Sequence, residues 1–207
     1  VAHANSGNIE RSLGHLDAAQ AQLETALRIA DEHGGGALRV QPVHGLAVLA
    51  LARGAAVEAD QRFAELLDLR RQQGHGYNLM IALLNAASAA VEMGHTARAM
   101  QYLREALPLQ DRVGSRLLSQ YLVELSSVCL LHGNEAARAV CLCAASLTQR
   151  AQTNLPVSDQ SIVGRFHRNM KIARERLGED SFEAAWAEGV ALDHEATLAL
   201  VRESLRE

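Results

Sequence analysis

Gly14-His15-Leu16-Asp17-Ala18-Ala19, followed by Leu23 and Ala26-Leu27, returns as Gly94-His95-Thr96-Ala97-Arg98-Ala99, followed by Leu103 and Ala106-Leu107. Fainter copies start at Gly54 and Gly133, so four glycines recur at intervals of 40, 40 and 39 residues. Five residues past the glycine stand Ala19, Ala59 and Ala99, with Arg138 in the last copy. Nine past it stand Leu23, Phe63, Leu103 and Leu142, and twelve past it Ala26, Leu66, Ala106 and Ala145. Seven before it come Gly7, Ala47, Ala87 and Ser126.

Offsets of five, nine and twelve share one face of a helix that begins just after the glycine. The small residues let two helices approach, and the bulky residue between them fills the seam. The glycine suits the left-handed backbone that ends one helix and turns the chain into the next. Each unit is therefore a helix, a tight turn and a second helix. One hairpin cannot bury its apolar face alone, whereas stacked copies bury it against their neighbours. At roughly 25 cal/mol per Å² of apolar surface, that stacking is the main source of stability.

Composition agrees. Of 207 residues, 48% are hydrophobic and 21% charged, enough for a core and unlike a disordered chain. Aromatics are only 3%, while alanine and leucine, the strong helix formers, abound. The net charge of −4, with arginines scattered along helices, gives no basic stripe, so direct nucleic-acid contact is not expected. The apolar run Ala47–Ala52 stops at Arg53, far short of a membrane span, and no signal peptide is visible. Three cysteines, Cys129, Cys141 and Cys143, do not read as a disulfide framework, and a cytoplasmic location is expected.

The hairpins are read as roughly 1–33, 38–73, 77–113 and 115–152. Pro156 and Ser158 mark a loop over 153–158, after which a long helix runs to Leu177, where Gly178 stops it. Short helices fit 180–188 and 193–206, the last with Asp193 as N-cap. The expected domains are four hairpins over 1–152 and a helical C-terminal capping module over 153–207. Val1 already stands in a helix-like pattern, which suggests a piece of something longer.

The Gly14 and Gly94 runs resemble the second helix of the tetratricopeptide repeat. That repeat usually spans about 34 residues; a 40-residue period also fits HEAT-type arrays. The small residues and the glycine match the tetratricopeptide pattern at every offset but one. The resemblance implies an all-α, right-handed superhelical stack of about four to five antiparallel hairpins. It further implies that the first helix of each hairpin lines a concave groove. The slots implied are Asn8 and Arg11; Gln41, His44, Val48 and Leu51; Leu84, Asn85, Ser88 and Glu92; and Gln120, Glu124 and Ser127. The lysine-rich clamp of chaperone-binding relatives is absent, so a chaperone-tail function is not expected.

The tail Leu177-Gly178-Glu179-Asp180-Ser181-Phe182-Glu183-Ala184-Ala185-Trp186-Ala187-Glu188-Gly189 resembles an end module of large bacterial regulators. Those are LuxR- and SARP-type transcriptional regulators and related STAND-ATPase signalling proteins, in which the module follows such repeats. Phe182 and Trp186, four apart on one helix face, are expected to pack onto the preceding helix. No helix-turn-helix follows Glu207, so a DNA-binding part is expected upstream, and no phosphate-binding glycine loop is found in this sequence.

Chemistry of its own is not expected. Cys141 and Cys143 point about 200° apart on a helix, and a zinc site needs about four convergent ligands. The nine histidines scatter, and His15 and His95 are one repeat position seen twice. His44 could point into a groove but has no readable carboxylate partner. Arg70-Arg71 reads as a solvated helix end, and the acidic pairs Asp31-Glu32 and Glu179-Asp180 as solvated surface. The expectation is a non-enzymatic scaffold without cofactor or metal, the sensor arm of a multidomain bacterial signal-transduction ATPase or transcriptional regulator. The alternative is a free-standing adaptor that takes a peptide or helix in its groove. Partners expected are a protein or peptide, domains of its own parent chain, a small-molecule effector, or a second copy as a homodimer, with no membrane involved.

Overall fold

Every glycine-marked segment turns one helix into the next, in a computed structural model that describes residues 2–153 and 160–206, the side chains of 160–167 apart. In chain order the repeats supply α1 (Ala2–Ser12) and α2 (Leu16–Glu32), α3 (Val40–Ala52) and α4 (Ala56–Gln73), α5 (Gly76–Glu92) and α6 (Thr96–Val113), and α7 (Arg116–His132) and α8 (Ala136–Thr153); α1–α2, α3–α4 and α7–α8 pack as hairpins. Then follow α9 (Gln160–Leu177), α10 (Glu179–Ala191) and α11 (His194–Ser204). A short 3-10 turn, Gly36–Arg39, precedes α3, and no strand occurs among the described residues. The fold is all-α, as the periodicity requires. The expected loop at Pro156 and Ser158 lies outside the described residues.

The repeat register needs one correction. Gly14, Gly54 and Gly94 have φ of 83°, 71° and 75°, but Gly133 has φ −85°. In the fourth hairpin the left-handed residue is Asn134, φ 68°, so the turn recurs at 40, 40 and 40. The turns bond alike: His15 N–H donates to Glu10 O, Ala55 N–H to Ala50 O and Glu135 N–H to Leu130 O, each at 2.9 Å. In this register the residue five past the turn is Ala139, fully buried like Ala19, Ala59 and Ala99. The exceptional Arg138 of the sequence reading disappears.

By its contacts the chain forms two compact units, 1–93 and 94–207. In the first, α3 packs on α2 and α4, and α4 on α5. Leu23 of α2 is its wedge, completely buried between the glycines of two neighbouring helices. A β-carbon at Gly7 would stand 2.6 Å from Leu23 Cγ, and one at Gly45 2.4 Å from Leu23 Cδ2. Glycine at both places admits the leucine, whose burial contributes about 2 kcal/mol.

In the second unit α8 is the hub, packed on α7, α9, α10 and α11. The last three helices thus join the fourth hairpin in one core. Asp193 caps α11, accepting from Ala196 N–H at 2.8 Å, as its position predicts. Phe182 and Trp186 stack with ring centroids 5.9 Å apart, and the Arg174 guanidinium of α9 lies 4.2 Å from the Phe182 centroid. The preceding helix therefore does meet Phe182, but α10 makes its broadest contact with α8. There Gly189 approaches so closely that a β-carbon would lie 2.1 Å from the Cys141 carbonyl oxygen.

Candidate functional site

Within the first unit, α1, α3 and α5 are the opening helices of their repeats, and each carries a stripe with polar members at helical spacing. On α1, Asn8 and Arg11 are half-buried; on α3, Gln41 is exposed and His44, Val48 and Leu51 are half-buried. On α5, Asn85 and Ser88 are half-buried and Glu92 is exposed, while Leu84 is wholly buried in the core. Spacings of three and four keep each stripe on one face.

The stripes meet at His44. Asn85 Nδ2 donates to His44 Nε2 at 3.3 Å, which joins α5 to α3 and leaves the ring proton on Nδ1. Asn8 Oδ1 lies against Gly45, 3.1 Å from where a β-carbon would be. Burial pushes the His44 pKa down, and the nearby charges of Arg70 and Arg11 push it further. No carboxylate among the described residues opposes them.

Arg70 is the residue that sequence reading missed. It is not a solvated helix end: burial lowers its pKa, and its Nε is buried without an acceptor among the described residues. Its Nη1 donates to Gln73 Oε1 at 3.1 Å. Arg11 Nε is likewise buried without an acceptor among the described residues. Arg71 next door does behave as surface, exposed and paired with Asp68 at 2.9 Å. One amphipathic position decides between the two arginines, and doublets do not announce it.

The remaining slots, on α7 in the second unit, turn inward. Gln120 and Ser127 are buried, and Gln120 Nε2 donates to Ser146 O at 2.6 Å and Oγ at 2.5 Å. Ser127 Oγ donates to Ala139 O at 2.7 Å. Glu124 accepts from Arg150 Nε at 2.5 Å and from Ser146 Oγ at 3.1 Å. The one-residue register change explains this. Counted from Asn134, Ser127 falls in the slot of Gly7, Ala47 and Ala87, and Gln120 in that of Val40 and Met80, all buried. These polar groups bind α7 to α8.

A cleft of about 270 Å³ in the same unit, bordered by Arg116, Gln149, Asp193 and His194, was also not foreseen. Gln149 Nε2 there already donates to Thr197 Oγ1 at 2.8 Å. Among the described residues no group of three or more histidine, cysteine or acidic side chains is placed to hold a metal ion. No described helix is long and apolar enough to cross a membrane.

Helical hairpins repeating at a fixed period, with polar stripes on their opening helices, define a helical-repeat scaffold. More particularly, the family model of the tetratricopeptide repeat matches residues 2–33, covering α1 and α2, and residues 82–111, covering most of α5 and α6. The repeat is thus detected at two places, and such repeats typically serve as protein-interaction scaffolds. No curated protein matches the chain.

Proposed function

We propose that this chain binds a protein or peptide partner on the α1–α3–α5 face of its first unit, and that it serves as the sensor arm of a multidomain regulator. The observation that carries the binding reading is the His44–Asn85 contact. Polar side chains at inner slots of two hairpins are brought together at a half-buried place, and the Nε atoms of Arg11 and Arg70 are buried with no acceptor among the described residues. Groups of that kind are costly to hold unless something uses them. The regulator reading is supported by the resemblance of the Trp186 tail; α9, α10 and α11 would then act as the cap of the array.

Peptide display against the whole chain tests the binding reading. Selected peptides are expected to lose affinity when Val48→Arg or Ser88→Arg crowds the face, and to keep it when Glu24→Arg alters the exposed surface of α2. Peptides that bind all three variants equally would place the interaction elsewhere. For the regulator reading the observation is genetic: a nucleotide-binding ATPase encoded in frame ahead of Val1 is expected, and a start codon directly before it would remove that reading.

A further inference from the structure

The cleft of about 270 Å³ in the second unit lies where the start of α7, the end of α8 and the start of α11 meet, and every side chain that borders it carries a polar group. A chain of hydrogen bonds fixes the state of its histidine. Thr197 Oγ1 donates its one proton to Asp193 O at 2.6 Å, so toward Gln149 Nε2, 2.8 Å away, it can only accept. That turns Gln149 Oε1 to His194 Nδ1, 3.3 Å away, and a carbonyl oxygen only accepts. The neutral ring therefore carries its proton on Nδ1 and keeps a lone pair on Nε2.

Two opposite charges stand at the same cleft. Arg116 of α7 and Asp193 are both close enough to His194 to act on its ring, yet neither makes an ion pair among the described residues. Asp193 spends one oxygen on the Ala196 N–H and keeps the other. The Gln152 amide has no partner among the described residues. A ligand with a single charge meets a like charge here; a ligand that carries both charges a short distance apart finds a partner for each. We propose that this cleft binds a free amino acid, its carboxylate on Arg116 and its ammonium on Asp193 and the Nε2 lone pair of His194. Gln152 and Thr153 then favour a polar side chain that both donates and accepts, such as that of glutamine. The site belongs to the second unit and does not rest on the partner-binding reading above.

The histidine makes such binding sensitive to pH. The charged groups facing it are Arg116 from α7 and Asp193 at the start of its own helix, while α8 contributes the neutral Gln149 and Gln152. Burial pushes the His194 pKa down, Arg116 pushes it further and Asp193 opposes them, so the ring is neutral at neutral pH. An ammonium group needs the lone pair on Nε2, and the imidazolium has a proton in its place. Ligand and proton therefore exclude each other, and affinity falls as pH falls.

The probe is free glutamine, titrated into the whole chain while the His194 ring resonances are followed by NMR. Beside it stand glutaminamide, which lacks the negative charge, and N-acetylglutamine, which lacks the positive one. Before ligand is added, Nε2 should resonate as an unprotonated nitrogen. Glutamine is expected to bind about tenfold tighter than either blocked form. It should bind about tenfold more weakly to Arg116→Gln and to Asp193→Asn, in which asparagine keeps the cap of α11 and only the charge is lost. Affinity should drop about tenfold between about pH 7.5 and about pH 5, and His194→Gln should remove that drop. Equal binding of the three compounds, or unchanged affinity in both charge variants, overturns the proposal. Tighter binding of N-acetylglutamine than of glutamine overturns it too, because the cleft would then be a site for anions alone. So does the absence of any shift at His194 with glutamine in millimolar excess.

Discussion

Arg70 carries a charge that the fold desolvates without an ion-pair partner among the described residues, and His44 beside it holds less proton than a free histidine would. The first is a cost to the folded state at any pH, the second only at pH low enough to charge a free imidazole. Removing the buried Nε while keeping the stem should recover one of them. Arg70→Met is expected to stabilise the chain by about 1 kcal/mol, raising its melting temperature by about 2–4 °C. An unchanged or lower melting point would show that the guanidinium is solvated after all. His44 predicts a pH effect of definite sign. Its folded pKa is below the ordinary value of 6.5, so the unfolded chain takes up this proton first as pH falls. The stability tied to His44 is present above about pH 6.5 and is lost progressively below it. His194 is lowered too, by burial first and then by Arg116, and contributes in the same direction. The parent's acid loss should therefore exceed that of His44→Gln in urea titrations across that range. Parallel losses would mean that His44 is not held neutral.

Turns and close approaches decide the elements. The sequence reading finds the period and the hairpins because glycine, alanine and leucine recur at helical offsets. It misplaces the fourth turn because it follows the residue type and not the backbone. Asparagine tolerates the left-handed region, so Asn134 takes the turn and Gly133 goes helical-like instead. Asn134→Ala is accordingly expected to cost about 1 kcal/mol, and Asn134→Gly to cost nothing, by equilibrium unfolding. If Gly133→Ala proved the damaging change, the register would return to 39. The docking of α10 on α8 was likewise not legible, since it depends on a glycine in the last turn of α10 that periodicity treats as a weak helix former. Gly189→Ala would drive its methyl group into the Cys141 carbonyl, a backbone atom that cannot swing aside. A loss of about 3 kcal/mol is expected, well beyond the gain in helix propensity of about 1 kcal/mol.

Over the whole molecule, what the sequence shows and what it hides divide along one line. Repeating slots filled by small or bulky apolar residues are local facts, and they are legible. Where a long arginine points, or whether a serine on an opening helix faces outward or into α8, depends on neighbours tens of residues away. Gln120 and Ser127 were expected at a groove for that reason and lie instead between two helices. The cysteines give a test of that inward packing. Cys129 on α7 and Cys141 and Cys143 on α8 all lie in the second unit and are all buried. Burial pushes the thiols of Cys129 and Cys143 up to about 12 and that of Cys141, with a contribution from Glu188, up to about 11. Since the thiolate is the reactive form, a thiol at about 12 is ionised only about once in ten thousand at about pH 8. The folded protein should therefore resist dithionitrobenzoate, and all three thiols should appear together as urea removes the helical signal of this unit. A cysteine that reacts in native buffer at the rate of free cysteine would show that α8 does not sit beneath α7 and α10.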